Sequence, residues 1–134
     1  MNVISQVSEY RFPSPDLAIV TIRVPVAEIA KRFGLTVENW EEDGLGRARG
    51  MFIRFPSGRV MLLRELEHAI KDLGEEGPTV YVDAGEVVAC GVEPLVGEVL
   101  EGLGLPSNAV ARIASNDSRD VAAQMLAKMP DRIR

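Results

Sequence analysis

Residues 51–73, MFIRFPSGRVMLLRELEHAIKDL, carry the pattern that decides the fold. Two apolar runs flank residues 56–58, PSG, in which proline suits the first central position of a type I turn and glycine suits the left-handed position after it. The segment therefore predicts a β-hairpin. The register set by this turn pairs residues 51–55, in reverse order, with residues 59–63.

The two faces of this hairpin differ in polarity. Opposed residues of antiparallel strands share a face, and faces alternate along each strand. One face is then apolar and holds Met51, Ile53, Phe55, Met61 and Leu63. The other face combines Phe52, Val60 and Leu62 with Arg54. Apolar residues on both faces indicate strands in the interior of a sheet that is covered, at least in part, on both sides.

An amphipathic helix is predicted directly after the hairpin. Leu66, Ile70 and Leu73 recur at helical spacing with Ala69 beside them, and Gly74 ends the pattern. Five polar residues form the opposite, solvated side: Glu65, Glu67, His68, Lys71 and Asp72. Glu67 and Lys71 are four residues apart, which suits an ion pair on one helix.

The remaining elements follow from turn and helix signals. They are a strand at residues 17–24, a helix at 25–33 before Gly34, a strand at 79–83, a helix at 94–103, a strand at 108–115, and a final helix from Asp117 or Ser118 through Met129. Residues 1–16 and 84–92 fit more than one secondary structure. The order over residues 17–83 looks like the split βαβ, ferredoxin-like arrangement. We therefore expect one α+β domain over residues 1–134, with a ferredoxin-like core and a C-terminal helix–strand–helix extension.

Composition favours an ordinary globular protein in the cytoplasm. The chain is 46% hydrophobic and 26% charged, with no apolar run of membrane-spanning length. Its first residues lack a basic stretch followed by an apolar block, so we expect no secretion signal. The single cysteine, Cys90, excludes an intrachain disulfide and is expected to be a small buried apolar residue.

Charge is segregated along the chain, whose net charge is −5. Residues 44–64 contain five arginines and no acid, whereas residues 65–101 contain ten acids against Lys71 alone, which gives −9. Such segregation is suited to association with a charged partner. Arginines beside apolar strands also discourage edge-to-edge pairing, and acidic helices keep a domain soluble, so the pattern has a purely structural explanation too.

Two motifs suggest nucleic-acid or phosphate binding and fail on chemistry. Residues 26–40 have the spacing of a helix-turn-helix, but four acids in residues 38–43 occupy the place of the recognition helix and would be repelled by DNA. The glycines at 44, 46 and 50 precede a strand, whereas a phosphate-binding loop needs a helix N-terminus after it. Arg47 and Arg49 retain the ability to bind an anion by charge alone.

Catalytic and metal sites have little support. His68 is the only histidine, and Glu65, His68 and Asp72 on one solvated helix stripe would need further ligands from elsewhere to hold a metal. The serines lie in no nucleophile elbow, and Cys90 lies in an apolar run. The sequence therefore favours a protein that is not an enzyme and has no cofactor.

We expect a non-catalytic protein-binding module, of the acidic inhibitor or immunity type, whose partner is another protein rather than nucleic acid or membrane. The alternative is a small-ligand regulatory domain similar to the ACT type, which would pair as a homodimer. The candidate binding residues lie around the change of charge sign between Arg64 and Glu65 and on the acidic helix that follows. They are Arg54, Arg59, Glu65, His68, Asp72, Glu98 and Glu101.

Overall fold

The computed structural model describes residues 3–115 and 117–128, which form a mixed α and β structure. Its strands are β1 (Ser5–Val7), β2 (Asp16–Ile22), β3 (Glu38–Glu42), β4 (Gly46–Arg54), β5 (Val60–Leu66), β6 (Thr79–Asp83) and β7 (Val110–Ile113). Its helices are α1 (Val26–Phe33), α2 (Glu67–Leu73), α3 (Ala84–Cys90), α4 (Val92–Leu103) and α5 (Ser118–Ala127), with a 3₁₀ turn at Ser107–Ala109.

All seven strands belong to one antiparallel sheet. Its order is β1-β4-β5-β6-β2-β7, and β3 also pairs with β4. Residues 46–50 of β4 pair with β3 and residues 52–54 pair with β1, so the two short strands share the outer edge of β4. The sheet therefore ends in β1 and β3 on one side and in β7 on the other.

The predicted hairpin is confirmed in its register. Met51 lies opposite Leu63 and Arg54 opposite Val60, with the intervening pairs as expected. The turn is closed by the backbone N–H of Gly58, which donates to the carbonyl of Phe55 at 2.8 Å. The apolar face is fully buried, and β4 and β5 have strands on both sides, as the two-sided pattern predicted.

The ferredoxin-like strand order is not confirmed. In that order β2 would lie beside β5, whereas here β6 lies between them and pairs with both. The crossover helix of a split βαβ unit packs across the sheet, but α2 has seven residues, and Leu73, predicted for its apolar stripe, is 67% exposed. Because α2 buries so little, it acts as a short connection between the neighbouring strands β5 and β6.

The C-terminal part joins the main sheet. β7 pairs with β2, with Val20 opposite Ile113 and Thr21 opposite Arg112. The predicted helix–strand–helix extension is therefore not confirmed as a separate appendage. The final helix ends at Ala127 in the structure, and the predicted end at Met129 lies outside the described residues.

Several element boundaries differ from the sequence expectations. Residues 84–92, for which the sequence fits more than one secondary structure, are mostly helix α3. Its N-cap Asp83 accepts a hydrogen bond from the N–H of Gly85 at 2.8 Å. Leu66 is the last residue of β5 and not the start of a helix. The predicted glycine stop of α1 is confirmed, since Gly34 is left-handed and Leu35 donates its N–H to the carbonyl of Ala30.

The core lies between one face of the sheet and four helices. It contains Met51, Ile53, Phe55, Met61 and Leu63 of the hairpin with Val26, Ile29, Val87, Leu95, Val99, Leu103 and Ala122 of α1, α3, α4 and α5. The opposite face carries the chain segment between β1 and β2. There Tyr10 and Phe12 pack on Phe52 with ring centroids 5.4 and 5.5 Å away. The helices therefore cover one face, and the second face is only partly covered.

Candidate functional site

Arg59 and Glu98, two of the predicted site residues, are in direct contact. Arg59 leaves the hairpin turn and donates from Nε to Glu86 of α3 and from Nη1 to Glu98 of α4. Its Nη2 lies 3.5 Å from the Cys90 Sγ. Ser57 Oγ donates to the second oxygen of Glu98 at 2.6 Å. The guanidinium thus ties the hairpin turn to both helices.

The electrostatics of this cluster are strongly attractive. Burial by itself lowers the pKa of Arg59, but the hydrogen bond to Glu86 and the charge of Glu98 outweigh it, so the pKa is raised. Arg59 therefore stays positively charged and holds both carboxylates. Cys90, expected to be a small buried apolar residue, is half-buried: it packs against the hydrophobic core and also contacts the Arg59 guanidinium.

A notch beside this cluster brings in a third predicted residue, Glu101. The notch has a volume of about 470 Å³ and lies between the hairpin turn and α4. Its lining residues are Pro56, Ser57, Pro94, Gly97, Glu98, Glu101 and Gly102. Arg54, at the end of the same hairpin, is exposed and donates from Nη1 to the carbonyl of Gly58 at 3.1 Å.

Glu65 has a different environment from the solvated helix face predicted for it. It belongs to β5 and its side chain is 2% exposed. One carboxylate oxygen accepts the backbone N–H of Val26 at 2.7 Å, and the other accepts Nε of Arg49 at 2.7 Å. Period-two alternation places Glu65 on the same face as Met61 and Leu63, so the strand register buries it at the start of α1. Both carboxylate oxygens are thus occupied by contacts within the fold.

His68 and Asp72 pair with each other on the exposed side of α2. The His68 Nδ1 lies 2.8 Å from a carboxylate oxygen of Asp72. The predicted pair of Glu67 and Lys71 is confirmed at 2.8 Å, and it lowers the pKa of Glu67 through the hydrogen bond and charge of Lys71. These residues follow the end of β5 that is remote from the hairpin turn, about 20 Å from Arg59 at the rise of a β-strand. The predicted residues are therefore divided between two regions.

The acids of residues 65–101 are largely paired in space. Seven of the ten contact a basic side chain, and four of the six basic residues involved come from outside the segment. The pairs are Glu65 with Arg49, Glu67 with Lys71, Asp72 with His68, Glu75 with Arg112, Glu76 with Arg23, and Glu86 and Glu98 with Arg59. Segregation along the chain thus becomes pairing across the fold.

A half-buried polar network lies on the partly covered face of the sheet. The Arg64 guanidinium lies 4.5 Å from the centre of the Tyr81 ring, donates to the Tyr81 hydroxyl at 2.6 Å, and approaches Glu42 at 3.4 Å. Glu42 also accepts from the indole Nε1 of Trp40 at 2.5 Å. Burial raises the pKa of Tyr81, against the opposing effect of Arg64. The network fixes the orientation of Trp40 in β3.

The edge strand β3 carries acids that sequence reasoning did not select. Glu38 and Glu41 of β3 are exposed, and so is Asp43 in the turn that follows. The Glu41 side chain is 76% exposed, and its carboxylate lies 3.8 Å from Nε of Arg47. Within the described residues, β3 pairs with no strand except β4. In the sequence these acids argue only against DNA binding, and ENWEE, with Trp40 as its one apolar residue, has no period-two alternation to predict a strand.

An open cavity of about 400 Å³ borders this edge strand. Its lining residues are Asn39, Trp40, Glu41, Arg47, Ala48, Arg49 and Glu67. Arg49 reaches the cavity while its Nε is held by Glu65, and Arg47 lies beside Glu41. The cavity therefore offers charged groups of both signs, whereas the Trp40 indole is held with Glu42 and Arg64 on the other face of the sheet.

Comparison of the chain with protein-family models, with curated proteins and with solved structures gave no match. Within residues 3–115 and 117–128, no three His, Cys, Asp or Glu residues are grouped so as to hold a metal ion. No helix in the described part of the chain has the length and apolar character to cross a membrane.

Proposed function

We propose that the protein is a non-catalytic binding module that associates with a basic partner protein, in the manner of an acidic inhibitor or immunity protein. The observation that carries this proposal is the acidic edge strand β3, in which exposed Glu38 and Glu41, followed by Asp43 in the turn, lie at an open edge of the sheet. Acids at this edge attract a basic partner over distance and raise the rate of encounter.

The acids of residues 65–101 are a weaker candidate for the binding surface than those of β3. Most acids between residues 65 and 101 contact arginine, lysine or histidine, which reduces their field at the surface. Helix α4 is the second location for the same function, because Glu93 and Glu101 are exposed on it and Glu101 lines the notch. The two surfaces are distinguishable by charge reversal.

The test compares two double variants with equal change in net charge. A tagged protein is used to isolate partners from an extract of the source cells, the partner is identified and purified, and its affinity is measured by calorimetry at two salt concentrations. Glu38→Lys with Glu41→Lys should weaken binding at least about tenfold, while Glu93→Lys with Glu101→Lys should change it less than about threefold.

The reverse ranking would move the binding surface to the α4 notch and leave the function intact. Equal affinity of both variants and the wild type, or affinity that does not fall with added salt, would contradict an acidic binding module. Circular dichroism of each variant verifies that the fold is retained, since all four positions are exposed.

The alternative of a small-ligand regulatory domain rested on a ferredoxin-like strand order, and the sheet has another order. Its expected signs are a homodimer in light scattering and a rise in melting temperature with an anionic metabolite. A monomer with no thermal shift would count against it.

A further inference from the structure

We infer that the partner docks by strand addition: an extended, lysine- or arginine-rich segment of another protein pairs antiparallel with the outer edge of β3. This inference rests on the proposed function and specifies its binding mode. The relevant structural facts are the open backbone edge of β3, its charge and the side chain of Trp40.

The backbone of β3 supplies the pairing groups. Alternate residues of an antiparallel strand direct their N–H and C=O groups toward one neighbour, and the others direct theirs away. In the described part of the chain, the inward set of β3 is paired with β4, and no further strand lies outside it. An edge of this kind can pair with an added strand. Proteins recognise extended peptides in this way, by main-chain hydrogen bonds along a sheet edge.

The charge of the edge selects the occupant. Two copies of β3 paired antiparallel about Trp40 would place Glu38 opposite Glu42 at both ends, which is repulsive. A second copy of the chain is therefore disfavoured at this edge. Glu38 and Glu42 share one face of β3 and Glu41 lies on the other, so a strand with lysine or arginine at alternate positions has the complementary charge on either face. Opposite charges on facing residues stabilise strand pairs.

Trp40 provides a place for one side chain of the added strand. Trp40 is half-buried, and its indole is held by Glu42, which contacts Arg64 in turn. The long apolar stem of a lysine or arginine opposite Trp40 can lie along the indole while its charge meets Glu38 or Glu42, which share that face of β3. This arrangement adds selectivity for a basic side chain at a defined position of the added strand.

The test uses the whole protein and a short synthetic peptide of alternating lysine and valine. Trp40 is the only tryptophan, so its fluorescence reports on this edge without a label. We expect a saturable change in Trp40 emission below about 1 mM peptide, and slower amide exchange at alternate residues of β3. A peptide of alternating glutamate and valine should leave both signals unchanged.

Backbone methylation of the peptide provides the matched control. N-methylation of one alternate set of residues removes the N–H groups that face β3, and N-methylation of the other set alters only groups that face away. One methylated peptide should bind at least about tenfold more weakly than the other. Equal binding of the two, or no saturable change in Trp40 emission, would overturn strand addition.

Charge reversal completes the test and separates the two proposals. Glu38→Lys with Glu41→Lys should abolish the response to the basic peptide, whereas Glu93→Lys with Glu101→Lys should retain it. If the natural partner still binds through β3 in the affinity experiment while the methylated peptides are equivalent, the docking mode is wrong and the binding function stands. If Glu38→Lys with Glu41→Lys leaves the affinity for the partner unchanged, both the proposed surface and the docking mode are wrong.

Discussion

The carboxylate of Glu65 accepts a hydrogen bond from the backbone N–H of Val26, at 2.7 Å and across 39 positions of sequence. This contact joins the end of β5 to the beginning of α1. Arg49 from the adjacent strand contacts the second carboxylate oxygen at 2.7 Å, so both oxygens of a buried acid are satisfied. A residue at the change of charge sign along the chain thus fixes the junction of a helix and the sheet.

Loss of Glu65 should destabilise the protein. Glu65→Ala leaves the N–H of Val26 and the guanidinium of Arg49 without their partner, and we expect the free energy of unfolding to fall by about 2–3 kcal/mol. Glu65→Gln keeps an acceptor for Val26 and should lose about 1 kcal/mol. Urea denaturation measures both. Asp72→Ala on exposed α2 is the control and should change nothing measurable; a similar loss there would refute the special role of Glu65.

Two glycines of α4 should respond oppositely to alanine. A Cβ at Gly97 meets nothing within 4 Å, so Gly97→Ala should stabilise the helix by about 0.5–1 kcal/mol. A Cβ at Gly102 would lie 2.5 Å from Cδ2 of the buried Phe55 ring, so Gly102→Ala should destabilise by about 1–3 kcal/mol. Thermal unfolding of both variants checks the contrast. Equal shifts of the same sign would contradict the packing of α4 on the hairpin.

The ion pair of Arg59 and Glu98 should show measurable coupling. Both side chains are about four-fifths buried, and a double-mutant cycle with Arg59→Met and Glu98→Gln should give a coupling free energy of about 1–2 kcal/mol. The same cycle on His68 and Asp72, which are 61% and 66% exposed, is the control and should give a value near zero. Comparable coupling in the two cycles would contradict a buried cluster at the hairpin turn.

The Tyr81 hydroxyl should ionise at a higher pH than the hydroxyl of an ordinary tyrosine. In a Tyr10→Phe background it is the only tyrosine, and its phenolate absorbance should appear with a midpoint above the ordinary value of about 10, because burial raises its pKa. Since the folded pKa is the higher one, this contribution to stability is complete below the unfolded pKa and is lost as pH rises through the folded pKa. Tyr81→Phe should remove the effect. A midpoint at or below the ordinary value would show that Arg64 dominates.

Local patterns in the sequence were sufficient for the hairpin. The residues PSG at 56–58 constrain the turn, and period-two alternation then determines both the register and the buried face. The glycine stops at residues 34, 74 and 104 are likewise confirmed by left-handed backbone conformations. These features depend on neighbours in sequence, so sequence patterns are informative about them.

The candidate site depended on contacts that no local pattern encodes. The residues around Glu65 fit the start of an amphipathic helix as well as they fit the end of a strand. Glu65 is buried because it belongs to β5, which pairs with β4. The acids of β3 drew attention as an obstacle to DNA binding, because their position at a sheet edge depends on which strands lie beside β4. Neither position was determined by composition or spacing.

The sequence by itself determined the hairpin, the helix ends and the charge on each segment, because turn chemistry and side-chain period act over a few residues. Only the tertiary structure decided that β6 lies between β5 and β2, and that Arg49 and Arg59 meet acids of residues 65–101. Both outcomes reflect the burial of one shared sheet face, which selects among strand orders that have the same local patterns. That selection leaves the acids of β3 at an open edge.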